Sequence, residues 1–408
     1  MHLLLIEPDI DVILKQKSLF KTEKKKIRES KVIKYIAPNL AMLKWATWAE
    51  NNGHTYQYVI GKKHIFQKEP DLILISCIFS FYSKEYTDII NYYRETFRNA
   101  KFIIGGAFPT LNPEWFKAKF PYAEIHQGIR PEIEDLVPNY AVTPWSKKII
   151  GYASRGCVNA CKYCAVSKLE GKMRSFPTIR PMIEKGIKEI GNPTGIVLYD
   201  NNFTAHEYFD NICDELEEFG LPVDIHGLHV SAFNEHHAER FARLKWGAQH
   251  EAGTAYMRFS FDFVGYQPHI HRALKLVEKH KIKAAFFCYM LFNWVDSPDD
   301  FWKRIVQAQE MTDDVSRTIF LFPQRFEPLD SLERNKFVGT KWDKELVAGV
   351  VKLYTFMHGF LPVTTSHNIF NWIGYTKEEF FDNARKFATD KTFKLVKKNG
   401  DPPKTFKL

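Results

Sequence analysis

Cys157, Cys161 and Cys164 stand in the run SRGCVNACKYCAV, separated by three and then two residues, and make up half of the six cysteines in 408 residues. Thiolates are soft ligands that select zinc, Cu(I) or iron–sulfur clusters. A closed structural zinc site takes four ligands, and an ordinary 4Fe–4S cluster takes four cysteines. Three thiols on one short loop therefore leave one metal position open for chemistry. A zinc knuckle completed by a remote histidine is the alternative use of the same triad. Cys77, Cys213 and Cys288 lie in the segments ILISCIF, NICDEL and AFFCYM and read as core thiols.

The spacing, with Tyr163 just before the last cysteine and Arg155-Gly156 just before the first, resembles the cluster loop of the radical S-adenosylmethionine superfamily. The resemblance implies that three thiolates hold three irons of a 4Fe–4S cluster, the fourth being chelated by the amino and carboxylate groups of S-adenosylmethionine. One electron from the cluster then cleaves the sulfonium bond to give methionine and a 5′-deoxyadenosyl radical. An electron donor such as flavodoxin or ferredoxin is an implied partner.

The segment IIGGAFPTLNPE, preceded by PDLILISCIFS and by a helix ending in NNGH, resembles the N-terminal domain of the cobalamin-binding subgroup of that superfamily. The following HQGIRPEIEDLVPNY is similar to the segment that leads such chains into the radical domain. Cobalamin domains of the methionine-synthase type carry an Asp-x-His-x-x-Gly loop; residues 1–146 have none, and the near match Asp224-Ile225-His226 lies elsewhere. Two readings stay open. A corrinoid would lie between the 75–81 and 105–109 segments, its tail passing Gly105 and Gly106, with no histidine on cobalt. Alternatively the sheet only shapes a substrate site, its space filled by Cys77-Ile78-Phe79. With cobalamin, the resemblance implies methyl transfer to an unactivated carbon. Without it, rearrangement, dehydrogenation or epimerisation is open. Methylthiotransferases use a second cysteine set, where this chain has only Cys77.

The elements that position these groups follow from hydrophobic pattern. A chain of this length suggests two domains and an appendage, placed at 1–146, 147–325 and 326–408. In the first, apolar strands at 2–6, 55–60, 72–77, 102–104 and 123–126 alternate with helices after Pro38-Asn39 and at 84–98. That alternation predicts an α/β fold with a Rossmann-like parallel sheet whose ligands bind at the carboxyl ends of the strands. Gly105-Gly106 stands at such an end; a tight turn explains the pair as well. In the second, six strands (148–153, 195–199, 223–230, 256–261, 284–290 and 318–322) alternate with helices, which predicts a partial six-stranded (β/α) barrel of the radical type. The cysteine loop follows its first strand. Residues 326–408 read as a helical cap over the mouth, with a basic tail.

Side chains at barrel strand ends are the candidates for cofactor binding. After the second strand come Asp200, Asn201 and Asn202, where the resemblance implies contact with the methionyl amino group; capping the next helix, by Asn202 or Thr204, is the plain alternative. On the third strand, His226 and His229 should face opposite ways, with Ser231 sharing the His229 face as a ligand for the cofactor carboxylate or the substrate. On the fourth, Arg258, Ser260 and Asp262 share a face, as a site wall or an internal Arg–Asp pair. Asn293 ends the fifth strand, in reach of ribose or adenine. Gln324, Arg325 and Glu327 end the sixth, and Arg174 either folds back to the cofactor or is solvated.

Composition bounds the rest. With 45% hydrophobic and 15% aromatic residues the chain can fill large cores, which excludes global disorder. No apolar stretch is long enough to span a bilayer. The start, MHLLLIEPDID, reads as a strand and not as a signal peptide. Core thiols and an oxygen-sensitive cluster point to a reducing cytoplasm. The net charge of +9 is concentrated in lysine runs at 15–34 and 391–407. Such runs are usually solvated, and a zinc- and nucleic-acid-binding protein is the reading of another class. Nothing in the sequence names the substrate, a small molecule or a peptide.

Overall fold

The computed structural model describes residues 1–8, 38–247, 254–357, 359–390, 392–393 and 397–398. The lysine run at 15–34, and most of that at 391–407, lie outside the described residues.

The first unit is a five-stranded parallel sheet of β1 (His2–Glu7), β2 (Thr55–Ile60), β3 (Leu72–Ser76), β4 (Lys101–Gly105) and β5 (Glu124–Ile125), in the order β2-β1-β3-β4-β5. β1 is buried along its whole length, as expected of a parallel strand covered on both faces. Side-chain alternation divides it: Leu3 and Leu5 join one core with Met42, Trp45 and Ala49, whereas Leu4 and Ile6 join another with Tyr86, Ile90 and Phe116. The first core is covered by the helix Leu40–Asn51, whose start is fixed by Asn39 accepting from the Met42 amide. Leu40 and Leu43 of that helix belong to the larger core of the second unit, so one helix joins the two.

The second unit contains the six expected strands: β6 (Lys148–Gly151), β9 (Gly195–Leu198), β10 (Val223–Ile225), β11 (Tyr256–Ser260), β12 (Ala285–Phe292) and β13 (Ile319–Arg325). Between β6 and β9, the two-residue strands β7 (Ser154–Arg155) and β8 (Arg174–Ser175) pair with each other as a small antiparallel ribbon. The six do not form one hydrogen-bonded sheet. They divide into β10-β9-β6 and β11-β12-β13, the second extended by the antiparallel strand β14 (Leu361–Val363).

The division lies where the third strand stops early, after Ile225 instead of near 230. The cause is Gly227, at φ +69, where a Cβ would stand 2.2 Å from the Asp200 carbonyl oxygen. The chain turns there over the 200–201 backbone, and its carbonyl accepts from Phe203 N at 2.7 Å. The expected helical cap also differs. The helices Lys344–Phe356 and Lys377–Thr389 pack together, with Phe380 against Trp302 on the outer helix Pro298–Val315. β14 covers the free edge of β13, which would otherwise expose unpaired backbone groups.

Candidate active site

The cysteine loop is held at its neck before any cofactor is considered. β7 and β8 pair Ser154 with Ser175 and Arg155 with Arg174. Gly156 sits at φ +73, where a Cβ would meet the Lys172 carbonyl oxygen at 2.2 Å. Only glycine allows that approach. Cys157 pairs across the loop with Lys172, and Cys164 N donates to the Cys161 carbonyl at 3.0 Å. All three sulfurs belong to partly exposed residues, whereas Cys77, Cys213 and Cys288 are buried. Burial pushes the Cys77 and Cys288 thiols up, which makes them poor metal ligands. The amide of Asn159 donates to Cys157 Sγ at 3.4 Å.

Among the described residues, the set of three His, Cys or carboxylate ligand atoms mutually within 4.8 Å is Glu235, Glu239 and His280; the three thiols are not such a set. Zinc–sulfur bonds of about 2.3 Å would draw ligands closer than that. At least two of the three sulfurs therefore lie more than 4.8 Å apart. Glu235 is already paired with Lys279 at 2.7 Å.

Glu170 and Glu134, neither of them apparent from sequence spacing, organise the neck. Glu170 Oε2 accepts from Gly156 N and from Asn201 Nδ2, both at 2.8 Å. Arg155 pairs with Glu134 at 3.1 Å and Glu170 at 3.3 Å, and its guanidinium lies 4.1 Å over the Tyr152 ring. Arg174 pairs with Asp135 at 2.7 Å and Glu134 at 3.4 Å. It therefore ties the neck to the helix Pro131–Glu134 instead of reaching a cofactor or being free in solvent.

Several expected ligand groups are committed elsewhere. Asp200 is buried, accepting from Ala153 N at 3.0 Å and from the Ser154 hydroxyl. Burial raises its pKa to about 6 against these hydrogen bonds. It is neither a cap nor open to a ligand; it fixes the backbone just ahead of the cysteines. Asn202 is buried, with its oxygen accepting from Thr204 at 2.9 Å. Asn293 is fully buried at φ +68. It donates to the Phe337 carbonyl at 3.1 Å and accepts from Gly339 N at 2.8 Å. That leaves no atom for ribose or adenine. The left-handed conformation suits asparagine, and the side chain anchors the loop after β13.

His226, His229 and Ser231 lie beyond the shortened third strand, so strand alternation does not order them. Ser231 Oγ and His229 Nδ1 are 2.7 Å apart on the surface. Arg258 does form an ion pair, with Asp224 instead of Asp262: it grips both carboxylate oxygens, one at 3.2 Å. The pair bridges the division between β10 and β11. His226 lies beside it, its pKa lowered to about 4 by burial and then by Arg258.

The remaining mouth residues do converge. A cavity of about 540 Å³ is lined by Cys164, Tyr163, Ser260, Asp262, Gln324, Arg325, Glu327 and the apolar residues Ile78, Phe79 and Phe81. Ladder register places Ser260 beside Tyr289 and Leu291 beside Gln324. Arg304, fully buried, donates to the carbonyls of Phe261, Asp262 and Leu291 and pairs with Asp296, which fixes the two strand ends. A second cavity, of about 390 Å³, lies at the carboxyl edge of β3 and β4. Ile75, Gly105, Gly106 and His126 line it on one side, and Arg155, Leu169 and Glu170 on the other. The two cavities share Ile78, Ala107 and Leu169. Phe79 and Ile78 are each 44% exposed, so they wall the space without filling it.

No protein-family model matches the chain, and no curated protein matches it. It is similar to a solved structure of the cobalamin-dependent S-adenosylmethionine radical enzyme OxsB with aqua-cobalamin bound, at a TM-score of 0.52 and 13% identity. The match covers 78% of this chain and 53% of that one, so the chain spans about half the length of OxsB. At this identity the likeness is one of α/β fold. Among the described residues, no helix is long and apolar enough to cross a membrane.

Proposed function

We propose that this protein is a radical S-adenosylmethionine enzyme acting on a substrate held between the N-terminal sheet and the strand ends of a partial barrel. The observation that carries the reading is the thiol triad. It lies on a braced loop after the first strand of the second unit, partly exposed, with Cys164 lining a 540 Å³ cavity. The donor set fits a 4Fe–4S cluster: three soft, partly exposed ligands on one short loop. The fold likeness to a radical enzyme supports it further.

Cys157, Cys161 and Cys164 would hold the cluster. With S-adenosylmethionine on its free iron, such a cluster supplies one-electron cleavage that yields a carbon radical able to abstract hydrogen. The chain's own part is positioning and exclusion of water. Asp200, Glu170 and Asn201 set the loop. Ser260, Tyr289 and Gln324 offer hydroxyl and amide groups on the barrel wall, and Phe79 and Phe81 provide an apolar wall opposite. On this reading 1–146 is a cobalamin-binding-like domain, 147–325 the radical barrel and 326–408 its extension. A flavodoxin or ferredoxin delivers the electron in the cytoplasm.

A corrinoid fits the sheet edge provided that it spans both cavities, since 390 Å³ alone is at the low end for a drug-sized ligand. The contiguity of the two cavities through Ile78, Ala107 and Leu169 favours that fit. With a corrinoid present, methyl transfer to an unactivated carbon is the reaction proposed. Without it, rearrangement, epimerisation or dehydrogenation is.

Anaerobic reconstitution followed by iron, sulfide and corrinoid analysis tests the reading. Wild-type protein should bind a cluster and cleave S-adenosylmethionine under reduction. Any one of Cys157→Ala, Cys161→Ala or Cys164→Ala should abolish cleavage, whereas Cys77→Ala and Cys288→Ala should keep the cluster. A colourless protein carrying zinc, with affinity for mixed RNA falling steeply with salt, would establish the nucleic-acid reading instead.

A further inference from the structure

Large apolar side chains left exposed are informative when they lie together beside a cavity. Among the described residues such side chains are scattered singly along the chain, with one neighbouring pair, Ile78 and Phe79. Both line the 540 Å³ cavity. The Phe79 ring lies nearly parallel to that of Phe81, at an interplanar angle of 24° and a centroid separation of 5.4 Å. Tyr82 meets Phe79 edge-on at 6.2 Å. The Phe79 ring is thus held in one plane with part of its surface uncovered.

The barrel wall adds neutral polar groups to the same cavity. Ser260 and Tyr289 are ladder neighbours on β11 and β12, and Gln324 stands beside Leu291 on β13. All three line the cavity, as alternation along the strands requires of residues on one face. Their side chains have no hydrogen-bond partner among the described residues. Ser260 Oγ and Tyr289 Oη are not among the buried orphan atoms either, so they are open to the space they line.

The charged groups of that wall are balanced. Two guanidinium groups, Arg325 and Arg334, stand against three carboxyl groups, Asp262, Glu327 and Glu333. Arg325 pairs with Glu327 at 3.1 Å, and Arg334 lies over the Phe81 ring at 4.8 Å. Asp262 accepts from Tyr163 and from Leu291 N. No surplus of positive charge remains to draw in a phosphate or a polycarboxylate. A flat apolar face and a row of neutral donors and acceptors are what the wall leaves uncommitted.

We propose that the substrate is an uncharged molecule with a flat unsaturated ring, stacked on Phe79 and hydrogen-bonded to Ser260, Tyr289 and Gln324. This rests on the reading of the 540 Å³ cavity as the substrate site. Aromatic faces favour offset-stacked partners. A wall built to hydrogen-bond a polar group rejects analogues that lack it.

Calorimetric titration of the full-length protein with three probes tests the proposal, before and after anaerobic reconstitution, with and without saturating S-adenosylmethionine. 2-Naphthol is flat, neutral and carries one hydroxyl. Decahydro-2-naphthol keeps the outline without the unsaturated ring, and 2-naphthoate carries a charge. 2-Naphthol should bind at one site, about tenfold tighter than either comparison probe. Phe79→Ala should weaken it about tenfold, and Phe79→Tyr should restore it. Ser260→Ala should weaken it about fivefold. Ile65→Ala, at an exposed apolar residue outside the cavity lining, should change nothing.

Tighter binding of 2-naphthoate would overturn the uncharged class, and equal binding of the saturated probe would overturn the ring. Displacement by S-adenosylmethionine would give the Phe79 face to the cofactor and overturn the proposal, as would the lack of saturable binding. None of these results bears on the cluster, which is read from iron and sulfide in the same samples. A preparation without a cluster that still binds 2-naphthol selectively would sink the radical reading and keep the ring site.

Discussion

Tyr163, the aromatic residue between Cys161 and Cys164, donates its hydroxyl to Asp262 Oδ2 at 3.0 Å, across 99 residues of sequence. The contact ties the cysteine loop to the end of β11, and Asp262 is held in turn by Leu291 N at 2.9 Å. Burial raises the Asp262 pKa and, with Asp262 next, that of Tyr163. A residue that looks like part of the cysteine motif is therefore a strut between the loop and the sheet that contains β11, β12 and β13.

Removing that strut has a measurable cost. Tyr163→Phe leaves a buried carboxylate oxygen without its donor and should cost about 1–3 kcal/mol in urea unfolding. A double-mutant cycle with Asp262→Asn should show coupling of about 0.5 kcal/mol or more. Additive effects would mean that the hydrogen bond does not hold the loop.

Asp200 predicts a pH dependence of stability. Its pKa is raised from 3.8 to about 6 by burial. The folded state thus binds the proton more tightly than the unfolded one. This contribution is complete below about pH 4 and is lost as pH rises through about 6. Its size is about 3 kcal/mol. His226, lowered from 6.5 to about 4, acts in the opposite sense over an overlapping range, so the whole-protein profile hides both. The difference between wild type and Asp200→Asn isolates the first: it should slope between pH 4 and 6 and be flat from 7 to 8. A flat difference throughout would show that Asp200 is not protonated on folding.

The Arg258–Asp224 pair stands where hydrogen bonding between the two parallel sheets stops. Asp224 is 1% exposed. Arg258→Met should destabilise by about 3–5 kcal/mol, because it leaves a buried charge unpaired. Adding Asp224→Leu should recover most of that loss. A double variant as unstable as the single one would mean that Arg258 acts through packing or a ligand, not through this carboxylate.

The two neighbouring glycines should behave differently. Gly106 lies at φ +107, and a Cβ there would stand 2.4 Å from the Cys77 carbonyl oxygen. Gly106→Ala should therefore destabilise the fold by about 1–3 kcal/mol whatever ligand binds. Gly105→Trp should leave thermal unfolding near wild type and prevent retention of hydroxocobalamin after desalting. Retention equal to wild type would place the corrinoid elsewhere or nowhere.

The sequence by itself determined the thiol triad, the apolar strands and their alternation with helices. These are local properties: ligand spacing on one loop, and periods of two or about four residues along one element. It located the six strands of the second unit and the sheet of the first, and it put Ser260, Asp262, Gln324, Arg325 and Glu327 at the mouth, where they line one cavity. Only the tertiary structure decided which polar groups are free to bind. Asp200, Asn202 and Asn293 sit at the expected strand ends, but backbone and side-chain groups up to 47 residues away take up their hydrogen-bonding atoms. Glu170 organises the cysteine neck through Gly156 and Asn201, a role no spacing encodes. The third strand ends early because Gly227 passes within contact of the Asp200 backbone. In each case the outcome depends on which distant groups arrive at a buried atom, and that is fixed by packing in three dimensions, not by order along the chain.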